Sequence, residues 1–198
     1  MAAYFGYFCC ECGESDGDRL RRLRHYASNR WMSGSYDAAI AEEDFGGPAA
    51  YLPETDADFA DLFVKVMTRA GYPIIKYGRG KTVRRTLRVS DDLATMTWNS
   101  SKGGDGDAPG SDGGPAKIFL HDVDAVDRAV FDDTPPGAEA LCVAFHIPSF
   151  MGARAVVTVF KVLVYFEADV HVLLNGFRIL RDRLSRDARY SRRPGWPF

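Results

Sequence analysis

At 198 residues with 46% apolar side chains, the chain can bury one substantial core with room for extensions, and its composition is not that of a disordered protein. No window approaches the eighteen or so apolar residues of a membrane-crossing helix; the N-terminus lacks the basic start of a secretory signal, and Ala2 breaks the N-myristoylation pattern. The net charge of −2 conceals a sorted distribution: residues 31–64 carry eight acids and no Lys or Arg, 65–88 eight bases and no acid, 91–139 eleven acids against three bases, and 140–198 nine bases against four acids. A polarised surface able to meet an acidic partner is expected from such blocks.

Residues 1–54 read as a mostly irregular extension. Three of the four cysteines fall in "CCEC", which is not the spaced framework of a disulfide-stapled secreted domain, so the chain reads as cytoplasmic with reduced thiols. Cys9 and Cys12 have the spacing of a zinc half-site, but no second pair follows, and only tertiary coincidence would bring in Cys142 and His25. Small thiols packed beside Tyr4, Phe5, Tyr7 and Phe8 are the reading adopted, ahead of zinc or acylation of Cys9 or Cys10; no metal and no cofactor is expected. One short basic helix is expected in "DRLRRLRHYASNRW", with Leu20, Leu23 and Arg24 at helical spacing, and Gly46, Gly47, Pro48 and Pro53 mark turns. The extension is expected to need something to dock on.

A second helix is predicted over 55–70. Thr55 is its N-cap with Asp58 three residues on, Phe59, Leu62, Phe63 and Val66 form its apolar face, and Gly71 stops it. The period then changes. "YPIIKYG" and "KTVRRTLRV" form a hairpin whose second strand sets Val83, Arg85, Leu87 and Val89 against Thr82, Arg84, Thr86 and Arg88, and "ATMTWNS" adds a third strand. The Gly/Asp/Ser-rich insertion 102–116 is a loop by composition; its calcium-loop look lacks the terminal Glu and flanking helices of an EF-hand. "KIFLHDVDAV" reads as a fourth strand and "ALCVAFHIP" and "ARAVVTVFKVLVYF" as further ones. In "EADVHVLLNGFRILRDRL", Val170, Leu173, Leu174, Phe177 and Leu180 give a closing helix. The plan is α+β: a small antiparallel barrel or sandwich covered by a C-terminal helix, with an Arg-rich tail over 185–198.

This order resembles a pleckstrin-homology (PH) domain, most nearly the phospholipase-C type. The resemblance is carried by "IIKYGRGK", "RRTLRVSDDLATMTW", "KIFLHDVDAV" and "LLNGFRIL" and spans residues 71–184. The family's helix usually carries a Trp three residues before the glycine of its "GL" pair; here Leu173 stands there, and Phe177 replaces the leucine. In lipid-binding members the first hairpin cradles inositol phosphates with a Lys near the end of strand one and two basic residues, two positions apart, in strand two. Lys76 and Arg85 match the outer positions, and Val83, which cannot donate, stands at the middle one.

Six bases without an acid over 72–89 could be a solubilising face or an anion-binding one. The candidate site is Lys76, Arg79, Lys81, Arg84, Arg85 and Arg88, with acidic protein surfaces such as tubulin tails, or a phosphoinositide headgroup, as partners. His121 and His146 sit in strand-like runs without a nucleophile motif, so catalysis is not expected; the tail lacks an RNA-binding motif, so neither is nucleic acid. The expected role is a non-catalytic interaction or scaffold subunit, cytoskeletal or ciliary, whose first 54 residues and tail lie extended against other chains. The alternative is a phosphoinositide-binding adaptor.

Overall fold

In a computed structural model, the structure describes residues 15–32, 53, 55–78, 81–100, 117–151 and 154–186. The cysteine cluster, Arg79, the insertion 102–116 and the tail beyond Arg186 lie outside them. Among the described residues no helix is long and apolar enough to cross a membrane.

Among the described residues two helices precede the sheet. α1 (Asp16–Trp31) starts on a capping box in which the Ser15 hydroxyl accepts from the Asp18 amide and the Asp18 carboxylate accepts back from Ser15. α2 (Asp56–Lys65) starts on the same device, with the Asp58 amide donating to Thr55 Oγ1 at 3.2 Å and the Thr55 amide to Asp58 Oδ2 at 3.1 Å. One π turn, Val66–Ala70, extends α2 and ends where the Gly71 amide reaches the Val66 carbonyl at 2.7 Å. Gly71 there takes φ +82°, and an added Cβ would lie 2.4 Å from Thr86 Cγ2 and 2.7 Å from Arg88 Cγ. The helix stop is therefore also where the backbone passes against side chains of the second strand with no room for a Cβ.

Seven antiparallel strands follow: β1 (Tyr72–Gly78), β2 (Lys81–Val89), β3 (Thr95–Ser100), β4 (Lys117–Phe119), β5 (Ala125–Asp127), β6 (Cys142–Met151) and β7 (Arg154–Leu163), ordered β4-β3-β2-β1-β7-β6-β5. β1 pairs along its whole length with β2 but meets β7 only at Ile75–Leu163 and Lys76–Val162, a narrow seam joining two half-sheets. The sheet does not close by hydrogen bonding: among the described residues β4 and β5 remain its two edges.

The segment expected as one fourth strand is two. "KIF" and "AVD" join opposite edges, and the five residues between them cross the gap through a 3-10 turn at Leu120–Asp122. Leu120 donates to the Ala94 carbonyl on one side and Asp124 to that of His146 on the other, both at 2.9 Å. Leu120 and Val123 are buried there; the apolar run reads like a strand because it plugs the open corner, and the corner forbids continuous pairing. His121 accordingly lies in the turn and not in a strand.

α3 (Glu167–Arg186) covers the core with Val170, Leu173, Phe177 and Leu180, all buried. Leu173, at the family's Trp position, is fully enclosed. α1 packs on α3 and α2, burying Leu23, Tyr26 and Ala27. Residues 16–31 thus dock on this chain's own core instead of lying extended.

Candidate functional site

Directly opposed residues of an antiparallel pair share a face. Tyr72 stands opposite Leu87, Ile74 opposite Arg85, Lys76 opposite Val83 and Gly78 opposite Lys81. Tyr72, Ile74, Leu87 and Val89 belong to the core, so Lys76, Lys81 and Arg85 project from the same inner face, farther along the strands where burial gives way to exposure. Arg84 and Arg88 project from the outer face.

The inner set has an aromatic floor. Trp98 of β3 lies opposite Leu87 and stacks on Phe160 of β7 with ring centroids 4.3 Å apart. The Lys76 ammonium sits 5.6 Å above the Trp98 ring, within cation–π range. Arg85 lies between Ile74 and Ser100 in the ladder, with Nη1 at 3.5 Å from the Arg84 carbonyl. The outer set forms a row: Arg88, Thr97 and Lys117 are in register across β2, β3 and β4. Lys81, Arg84 and Arg88 make no ion pair among the described residues.

The hairpin therefore does not gather its bases into one cup. It carries cations on both sides of a single strand, with Val83 half-buried on the inner side between Lys81 and Arg85. Trp98 and Lys117 escaped the sequence reading. The alternation of "TMTWNS" puts Met96 and Trp98 on one face, but only the register shows that this face meets Lys76.

The other candidates are accounted for locally. His121 Nε2 is 2.9 Å from Asp122 Oδ1, and His146 Nε2 is 3.1 Å from Asp127 Oδ1. Cys142 is buried, its thiol donating to the Ala138 carbonyl at 3.3 Å. Burial is the main cause holding the His25 and His171 imidazoles below the usual 6.5, with the Arg128 charge adding to it at His171. Among the described residues no group of three or more His, Cys, Asp or Glu could hold a metal ion.

Neither family models nor the curated proteins contain a match to this chain. Similar solved structures include one titled "PH domain from TgAPH", at 11% identity and a TM-score of 0.42, covering 67% of this chain and 100% of that one. Another is the Inner Membrane Complex sub-compartment protein 3 (ISP3) of Toxoplasma gondii, at 13% identity and a TM-score of 0.39, covering 63% of this chain and 83% of that one. The fold itself is α+β and PH-like on its own architecture: an antiparallel seven-stranded sheet, bent at a narrow seam and covered by a C-terminal helix.

Proposed function

We propose that this chain is a non-catalytic PH-like interaction module, a cytoplasmic scaffold subunit that holds an acidic protein surface against its basic hairpin. The observation that carries the reading is the division of the cations between Lys76, Lys81 and Arg85 on the inner face and Arg84, Arg88 and Lys117 on the outer one. A single headgroup approaches one face, whereas a run of acidic side chains can engage both. With α1 folded on its own domain, the reading rests on the hairpin and not on an extended N-terminus. The finer form of the proposal places the partner on the cytoskeleton or cilium, with acidic tubulin tails as the surface. Co-sedimentation with microtubules tests it: binding is expected to weaken with salt, to vanish when the tails are removed proteolytically, and to fall in Arg84→Glu/Arg88→Glu. Binding indifferent to tails and to both substitutions would overturn the tubulin assignment.

One observation favours a phosphoinositide instead: Lys76 and Arg85 do share a face beside Trp98. That reading requires sedimentation with phosphoinositide liposomes at physiological salt and its loss in Lys76→Ala/Arg85→Ala, while Arg84→Glu/Arg88→Glu leaves it in place. The two double variants thus separate the readings.

A further inference from the structure

The crease between α3 and the Leu120–Arg128 segment forms an open-sided groove of about 310 Å³, at the lower end of the size range of small-ligand sites. Leu120, Val123 and Phe177, buried in the core, make its floor, and the half-buried Val126, Leu174 and Leu184 make its walls. From Leu174 to Leu184 the groove follows α3 for roughly 15 Å. The helix thus carries a second stripe, offset from the one that faces the core.

Its mouth is cationic. Arg178 and Arg181 both line it, and the hydrogen bonds they make are to neutral oxygens: Arg178 Nη2 to Asn175 Oδ1 at 3.2 Å, and Arg181 Nη1 to the Asp124 carbonyl. The other charged residues of the lining, Arg128 and Asp127, have side-chain partners outside the groove. Arg128 is paired with Glu167 at 3.0 Å, and the Asp127 carboxylate faces His146 Nε2 at 3.1 Å.

We propose that this groove binds a single-chain anionic amphiphile, its alkyl chain along Leu174 and Leu184 and its carboxylate at Arg178 and Arg181. The apolar walls exclude a wholly polar ligand, and two guanidiniums whose partners among the described residues are neutral favour an anionic head over an uncharged one. A peptide added as a strand to β5 fits less well. That edge is three residues long, and Arg181 already occupies the Asp124 carbonyl beside it. The groove shares no residue with the basic hairpin, so the two sites can be tested apart.

Laurate, titrated into the full chain below its micelle concentration and followed by calorimetry, is the probe. Saturable one-to-one binding is expected, with lauryl alcohol bound more weakly. Leu174→Trp, which fills the groove, should abolish it. Arg178→Glu/Arg181→Glu, at exposed positions and with its fold checked by circular dichroism, should weaken it by about tenfold or more, as expected for a lost charge-assisted contact. No saturable binding by the unsubstituted chain overturns the proposal. Equal binding of acid and alcohol, or binding unmoved by the double arginine variant, overturns the anionic head; should Leu174→Trp fail to fold, the arginine variant decides alone.

Discussion

Asp169 has no exposure, and each of its oxygens accepts two hydrogen bonds. Oδ1 takes Arg24 Nε at 2.5 Å and the Tyr72 hydroxyl at 2.6 Å; Oδ2 takes Arg24 Nη2 at 3.2 Å and the Phe166 amide at 3.2 Å. A carboxylate can be buried at tolerable cost only when its acceptor sites are filled and its charge is matched. Here one residue joins α1, β1 and the start of α3. Asp169→Asn turns one acceptor into a donor facing donors and leaves Arg24 uncompensated, so it should cost about 3–5 kcal/mol in urea unfolding. Tyr72→Phe removes a single donor and should cost about 1–3 kcal/mol; an equal or reversed order would refute the account. Burial first, then the Asp169 charge, push the Tyr72 hydroxyl well above its ordinary 10.0. Tyr26 is pushed up to about 12 by burial and its hydrogen bond to Asp56. Folded values above unfolded ones mean that this stability is complete below pH 10 and is lost as pH rises above it, for Tyr26 through about 12. The melting temperature should drop across that window, less steeply in Tyr72→Phe.

Between elements, Gly176 sets how closely α2 and α3 approach. A Cβ there would lie 2.5 Å from Phe63 Cε2, with two more atoms of that ring at 2.6 Å, and the Phe63 ring meets Phe177 edge-on at 5.4 Å. Gly176→Ala must displace the ring, and overpacking of this kind costs about 1–3 kcal/mol despite the better helix propensity of alanine. In a Phe63→Leu background the obstruction is gone and the same change should be neutral or stabilising; a double-mutant cycle by thermal melting reads the coupling, and additive costs would count against the contact. The sequence reading placed α2 with its Thr55–Asp58 cap, the hairpin and the closing helix, because each depends on local signals: spacing, a capping pair, alternation. It identified the glycine of "LLNGF" as a family position but not the ring lying on it, since that contact joins residues far apart in the chain. The broken fourth strand was missed for the opposite reason. Leu120 and Val123 are as apolar as strand residues, and nothing local reveals that they close a corner. At the site, the resemblance to a PH domain singled out Lys76 and Arg85, and alternation set Arg84 on the other face from Arg85, whereas Trp98 beneath Lys76 required the register of β2 on β3.

Across the whole molecule, one run of aromatic contacts connects the N-terminal helix to the mouth of the sheet. Trp31 and Tyr26 meet Phe59 at 4.9 and 5.2 Å; Phe59 meets Phe63, and Phe63 meets Phe177 at 5.4 Å. Phe177 meets Phe145 at 5.0 Å, Phe145 meets Phe160 at 5.7 Å, and Phe160 stacks on Trp98 at 4.3 Å, directly beneath Lys76. These rings belong to one core cluster or pack against it. A helix that reads as part of a separable extension is thus built into the hydrophobic interior of the domain, and without it the buried Asp169 loses the positive charge of Arg24. If α1 were an independent appendage, it would melt before the sheet. If the aromatic run and the ion pair make it integral, both ends of the core must unfold together. Trp31 and Trp98 stand at those two ends and serve as reporters once Trp196 is replaced by Phe in both proteins. Trp31→Phe leaves Trp98 to report the mouth, and Trp98→Phe leaves Trp31 to report α1. After correction for each variant's calorimetric stability, the two urea midpoints followed by fluorescence should coincide with each other and with the far-ultraviolet circular dichroism transition. A Trp31 signal lost at lower urea than the circular dichroism transition would make α1 a separable attachment and remove the structural reason for burying Asp169.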